Sequence, residues 1–271
     1  KVLAVEEEDS PWHATMAEAD SLDGIPVLAA TLHSMLAPIC VSIASQANLR
    51  VAYVMTDGAA LPIAFSQNVA WLKEQGLLVG SVTCGHAFGG DLEAVNIYSA
   101  LLAARHVLKA DVIIVSMGPG IVGTGTKWGF TGVEQGDILN AVDSLKGVPV
   151  AVPRISFADA RERHLGISHH SLTVLSHICK VPVLVPLPLL PDPQSDYMMQ
   201  QLRGTKLLEK HKICMEDATG CVAVMQSCGL SMTTMGRGIE QDREFFLSLG
   251  AAALTVVRLA QGQSPHYLRQ A

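Results

Sequence analysis

Short apolar runs and polar junctions alternate along this chain and predict strands and helices in turn. Residues 27–31, 51–55, 78–83, 112–116 and 148–152 are apolar at mostly consecutive positions and rich in Val and Ile. Such runs fit strands buried on both faces, as in a parallel sheet covered by helices. A half-exposed strand alternates apolar and polar positions instead. Segments with helical spacing separate them, at 34–46, 61–75, 91–109 and 136–145. Asp91 is placed to cap the third of these, because a carboxylate at a helix start accepts an orphan backbone N–H. Further on, a short helix to Cys179 begins at His169 or Ser171, helices are expected over 194–209 and 239–259, and strands over 183–185, 212–215 and 230–234. Strands alternating with helices predict an α/β fold. Right-handed crossovers then give an open, mostly parallel sheet with helices on both faces, Rossmann-like in architecture. No fixed period or shared motif links the βα units, so this is not a repeat array.

Pro186, Pro188, Pro191 and Pro193 punctuate the chain late in this pattern. They suggest a main α/β part over residues 1–185 and a smaller C-terminal α/β part over 186–271, packed as one unit, with the prolines forming a rigid loop between them. A different reading applies to residues 25–49, which hold no Asp, Glu, Lys or Arg. A bilayer span needs about 20 apolar residues. The stretch contains Pro26, His33, Ser34, Pro38, Ser42, Ser45 and Gln46, and it divides into a strand-like and a helix-like half. A buried protein core fits it better than a membrane, and residues 247–257 are too few to span.

Composition agrees with a large core. Hydrophobic residues make up 49% of the 271, charged residues 16%, and the mean hydropathy is +0.32. An ordinary domain is about 25% charged. These values exclude a disordered chain, and the net charge of -6 argues against nucleic-acid binding through a positive surface. The low charge also suggests helix faces buried by a second copy, as in a homodimer. None of the six cysteines forms a C-x-x-C pair, and most sit inside apolar runs, so a reducing cytoplasm is the expected compartment. No signal peptide is visible. The chain opens on Lys1, which suggests a segment upstream.

Candidate chemistry gathers after the predicted strands. Asp57, His86, Asp91, the loop from Gly118 to Thr126, Arg154, Asp159 and Arg237 each follow a strand end in this reading. In a parallel sheet those ends share one edge, where open α/β sheets bind ligands. The loop's Gly118, Gly120, Gly123 and Gly125 allow positive φ and close approach of backbone N–H groups to an anion, with Thr124, Thr126 and Lys127 as further donors. By letter it contains G-x-G-x-x-G, but no helix opens directly after it and no acidic partner follows at a strand end, so a dinucleotide fingerprint is not assigned. It is not a P-loop. The second cluster runs from Arg154 to His170 and holds Arg161, Arg163, His164 and His169 as well. Arginine forks suit phosphate and carboxylate groups, and histidines move protons near neutrality. Asp159 is placed to orient a histidine. A metal on His164, His169 and His170 with Asp57, Asp91 or Asp159 is conceivable. No H-x-x-x-H spacing occurs, and adjacent histidines usually point apart, so no metal is assigned. Ser66 and Ser171 lie in no G-x-S-x-G elbow, which argues against a serine hydrolase.

The blocks Thr56-Asp57-Gly58-Ala59-Ala60-Leu61-Pro62, Gly85 to Asp91, Gly118 to Gly132, Arg154 to His170 and Met235-Gly236-Arg237-Gly238 resemble the signature segments of an uncharacterised bacterial protein family, a domain of unknown function. The resemblance covers nearly the whole chain. It implies a cytoplasmic bacterial protein that begins upstream of Lys1, and no activity. The residue chemistry leads to an expected enzyme that binds a small anionic metabolite, phosphorylated or nucleotide-like, for hydrolysis or group transfer. Asp57, His86, Asp91, Asp159, His164 and His169 would act on protons. The glycine loop with Lys127, Arg154, Arg161 and Arg237 would hold the anion. The cofactor is unknown. The alternatives are a non-catalytic metabolite sensor and a homo-oligomeric assembly protein.

Overall fold

Consecutive residues of each central strand pack into opposite cores. In β1 (Pro26–Ala30), Val27 and Ala29 join one apolar cluster while Leu28 and Ala30 join the other. The same division splits Tyr53 and Met55 from Ala52 and Val54 in β2 (Val51–Thr56), and Val112 and Ile114 from Ile113 and Val115 in β5 (Val112–Met117). The run of apolar residues is thus a strand covered twice. The computed structural model describes residues 3–58 and 60–268; Lys1, with the expected upstream start, and Ala59 of the first signature block lie outside the described residues.

The remaining main strands are β3 (Gly80–Cys84), β4 (Leu92–Ala94), β6 (Val148–Val152), β9 (Leu184–Pro188) and β10 (Lys212–Glu216). Two hairpins, β7 (Ile155–Ser156) with β8 (Gly166–Ile167) and β11 (Thr233–Thr234) with β12 (Arg237–Gly238), stand outside the main sheet. Among the described residues eight strands form one all-parallel sheet in the order β10-β9-β6-β1-β5-β2-β3-β4. The chain runs from β1 through β2 and β3 to β4 at one edge. It returns to β5 and then moves through β6 and β9 to β10 at the other.

Right-handed crossovers in two directions put helices on two faces. After α1 (His13–Glu18), α2 (Leu36–Gln46) and α3 (Gln67–Glu74) cover one face, where α9 (Thr219–Ser227) and α10 (Arg243–Ala260) join them. The other face carries α4 (Ile97–His106), α5 (Glu134–Ser144), α7 (Gln194–Gly204) and the short α8 (Leu207–Lys210). A short α6 (His169–Thr173) runs into a π-turn at Val174–Ile178. The uncharged stretch 25–49 is β1 and α2, both interior. Among the described residues no helix is long and apolar enough to cross a membrane.

Several expected elements change. The helix placed at 91–109 begins only at Ile97, capped by Asn96, whose side chain accepts the N–H groups of Tyr98 and Ser99. Its expected first turn is β4, so Asp91 caps nothing. The single helix expected over 194–209 breaks where Lys206 takes φ +56°. Only Thr233–Thr234 of the strand at 230–234 forms, in a hairpin. Pro186 and Pro188 lie within β9 itself. The bonds Lys212 N–H to Val183 O and Leu189 N–H to Glu216 O show that odd positions of β9 face β10. The prolines therefore face β6, where their missing N–H groups limit the ladder to the Val150–Leu184 register.

Both sheet edges are covered by chain near the termini. Val5 N–H donates to Glu93 O (2.6 Å) beside β4, and residues 265–268 pair antiparallel with β10 through Met215 N–H to His266 O (2.8 Å) and Leu268 N–H to Ile213 O (2.9 Å). This blunts edges that would otherwise template aggregation.

Glycine spacing in α10 fixes how closely it seats on α9. A Cβ at Gly250 would stand 2.8 Å from the Cβ atoms of Ala218 and Cys221, which have no room to retreat. Overpacking costs about 1–3 kcal/mol. Gly220 of α9 has open space around the corresponding position. Gly250→Ala is therefore expected to lower the urea midpoint, whereas Gly220→Ala raises it or leaves it unchanged, because alanine favours the helix by up to about 1 kcal/mol.

Candidate functional site

The strand order changes direction at β1, so the loop leaving β1 turns toward one face while those leaving β5 and β6 turn toward the other. A cavity of about 210 Å³ opens among them. It is lined by Thr31 and Leu32 after β1, Ile121, Gly123, Gly125, Phe130 and Gly132 after β5, and Arg154, Arg161, Arg163, His164, His170 and Ser171 after β6, with Met235 from the second hairpin. The glycine loop and the arginine–histidine segment, far apart in sequence, thus share one pocket. Among the described residues no carboxylate lines it.

The β7–β8 hairpin builds the arginine side. Arg154 N–H donates to Ser171 Oγ (2.9 Å), and Ser168 N–H to Arg154 O (2.9 Å), so α6 is tied to the exit of β6. Gln201 of α7 clamps the far strand: its amide group donates to Leu165 O and Ile167 O and accepts from Ile167 N–H. Gly166, at φ +65°, has no space for a Cβ against Gln201 and Tyr197.

Inside the loop, Asp159 organises cations rather than a histidine. Arg154 Nη2 donates to its Oδ2 (2.7 Å), and Arg161 donates through Nε and Nη2 (both 2.9 Å). Arg237 Nη2 stands 3.7 Å away, while its Nε donates to Asp242 (2.9 Å), which also accepts from Ser156 Oγ. The Arg161 bonds hold the Asp159 carboxyl well below the usual carboxylate range, against the opposing effect of burial. A carboxylate so held is a fixed counter-ion, not a proton acceptor. Arg154, Arg161 and Arg237 spend much of their donor capacity inside the protein. Arg163, at the pocket wall, has no ion-pair partner among the described residues.

Three imidazoles meet beside these charges. The ring centroids of His164, His169 and His170 lie 4.1–5.2 Å apart. The adjacent pair, expected to diverge, converges instead. His170 stacks on Phe130 (4.0 Å, 9° between planes), and Gly123 makes room for it, since a Cβ there would sit 3.3 Å from the ring. His164 Nδ1 lies 2.8 Å from Ser168 Oγ and 3.3 Å from Arg154 Nη1. Burial first, and then the arginine charges, lowers His164 to about 3; burial first, and then His169 and the arginines, lowers His170 to about 4. His169 is lowered for the same reasons, by burial and nearby arginines. At these values His164 and His170 are neutral at pH 7, which suits hydrogen bonding better than the proton transfer expected of His164.

Other expected site residues fall elsewhere. Asp91 lies at the opposite end of the sheet, beside the start of β3. It pairs with Lys73 (2.7 Å) and accepts from the N–H and hydroxyl of Ser81. The chain turns back after β3 to start β4 parallel to it, so residue 91 cannot reach the strand C-termini. Asp57 is at the right edge but outside the cavity lining, accepting from His86 N–H (3.1 Å), and the His86 side chain is exposed. Lys127 lies over the Trp128 ring (4.9 Å). The Thr124 hydroxyl donates to Gly129 O (2.9 Å), and the Thr126 hydroxyl accepts from Gly129 N–H (3.1 Å), so both serve the loop itself. Gly118 is buried at the end of β5, Gly120 takes φ +114°, and α5 opens only at Glu134, so no dinucleotide turn forms. Ser66 is buried as the cap of α3 and bonds His33 Nε2 (2.7 Å).

Sequence reasoning missed Arg163 and His170 as lining residues, though both lie in the segment it selected. It also missed Glu134, raised to about 7 by burial and the nearby Asp57 and Asp137 charges, and bonded by the Thr56 hydroxyl (2.5 Å). An acidic residue in the first helical turn after a strand-end loop was the available signal. The Asp159 hub carries a stability prediction. Its folded pKa is depressed, so its stabilisation is present above about pH 4, the unfolded value, and is lost as pH falls below it. Asp159→Asn is expected to cost about 3–5 kcal/mol at pH 7, as removal of one buried partner does, and to flatten the acid limb of a stability–pH curve measured by urea unfolding.

No curated protein and no solved structure matches the chain. The described family "Protein of unknown function (DUF3866)" matches it over residues 1–253. That span takes in the whole sheet, both hairpins and every wall of the pocket, and the chain belongs to this family of unknown function.

Proposed function

We propose that the pocket binds the phosphate or carboxylate group of a small metabolite and that the protein is an enzyme of hydrolysis or group transfer. One observation carries this reading: among the described residues three arginines, two neutral histidines and glycine backbone line the cavity, and no carboxylate does. A cavity wall rich in guanidinium groups favours an anion. The pocket's place at the change of strand direction is where open α/β sheets take ligands.

The roles within it divide by what each group already bonds. The Arg163 guanidinium has no ion-pair partner among the described residues, so it makes the principal ion pair. Arg161 and Arg154 supply positive potential while Asp159 holds them in place. Gly125, at φ +79° with open space beside it, brings backbone close to the ligand. Leu32, Ile121, Phe130 and Met235 form the apolar wall for the rest of the molecule.

A charge-assisted bond of this kind contributes about 1.5–3 kcal/mol, which is roughly a 10- to 100-fold change in affinity. Arg163→Ala is expected to weaken binding of inorganic phosphate or nucleoside phosphates by that factor in calorimetric titration and to leave the melting temperature without ligand nearly unchanged. Lys127→Ala should bind as the wild type does. Equal affinity in wild type and Arg163→Ala, or no phosphate-bearing or carboxylate ligand bound by the wild type, would overturn the reading. Turnover of a bound nucleoside phosphate, followed by phosphorus NMR, tests the enzymatic part.

A further inference from the structure

We infer that His164, His169 and His170 form a transition-metal site, with one ion held by three imidazole nitrogens and an open coordination position toward the arginine pocket. One ligand atom from each histidine lies within 4.8 Å of the others. Zn–N bonds of about 2.0–2.1 Å set neighbouring nitrogens about 3.3 Å apart in a tetrahedral site. Small χ rotations of about an ångström at the ring therefore close the set, and no backbone has to move far. The three residues come from two rigid pieces, the turn Glu162–His164 and the first turn of α6. Backbone bonds of Arg154 with Ser168 and Ser171 tie α6 to the exit of β6, and Arg154 Nη1 donates to His164 Nδ1 (3.3 Å) on the turn.

Two further observations point to a ligand there. The Nε2 atom of His169 is buried without a hydrogen-bond partner among the described residues. Such an atom is costly to leave unsatisfied, and a metal bond removes that cost. Neither ring nitrogen of His170 has a hydrogen bond among the described residues, although Phe130 holds its plane.

The donor set selects the ion. Three neutral nitrogens with no carboxylate suit zinc or a neighbouring first-row ion, not magnesium or calcium, which want oxygen. Arg154, Arg161 and Arg163 oppose a cation here. Asp159 and Asp242 offset two of the guanidinium charges around the site, counting Arg237, and an anion at the open position would offset more. The metal site stands on the imidazole geometry and does not need the anion reading, which it meets only at that fourth ligand.

Calorimetric titration of chelator-treated protein with zinc alone tests it, with cobalt(II) absorption as the spectroscopic readout. One zinc per chain and tetrahedral cobalt bands are expected for the wild type. His169→Ala and His170→Ala should each lower affinity by about 100-fold or more, and His86→Ala, on an exposed ring, should not change it. Because an alanine could disturb the loop, His169→Cys serves as the second variant: it should keep cobalt and add a thiolate charge-transfer band. No zinc bound by folded wild type, or zinc bound equally by His169→Ala, overturns the inference. Loss of zinc binding in the wild type with phosphate binding intact would sink this site alone. Zinc bound with no anion bound would sink the anion reading alone.

Discussion

Every parallel strand pair in this molecule needs a crossover, and a crossover has one permitted hand. Crossovers that run one way along the sheet therefore put their helices on one face, and crossovers that run the other way put theirs on the opposite face. The loops leaving β1 and β2 part from those leaving β5 and β6, and the gap between them is set by topology before any functional side chain is considered. The apolar composition follows from the same constraint. A sheet covered on both faces asks for apolar residues at consecutive positions, so two separate cores replace one.

Within that gap, the charged residues mostly hold one another. Asp159 fixes Arg154 and Arg161, and Asp242 fixes Arg237 and Ser156. These pairs do not present charge freely to a ligand, but they position a positive wall in a buried place, where each ion needs a partner. They also account for the state of the imidazoles, since burial and nearby guanidinium groups both disfavour imidazolium. What remains available for external chemistry is small: the Arg163 fork, the ring nitrogens of His169 and His170, and backbone of the glycine loop.

How far the chain could be read varied with the range of the interaction. The sequence-expected run at 148–152 is β6 as it stands, and those at 51–55 and 112–116 differ from β2 and β5 by one residue, because burial on both faces leaves an unbroken apolar run. The helix expected from Asp91 was misplaced because residues 92–94 pair with β3 and delay the helix to the Asn96 cap, and pairing across a seven-residue turn leaves no periodic mark. The segment 154–170 stood out because charge is scarce in this chain. Which of its members are free was invisible, since Asp159 could have served a histidine as readily as an arginine.

The sequence by itself determined the class of fold, the sites of most strands and the two segments that meet at the pocket. Those features rest on local periodicity and on the rule that parallel strands end at one edge. Tertiary structure alone decided that Asp91 lies at the wrong end, that Asp57 and His86 stay outside the cavity, and that neighbouring histidines turn toward a third. The reason is physical: pairing of charges, convergence of rings and direction of loops depend on distances between residues remote in the chain, and no local pattern of side chains encodes a distance.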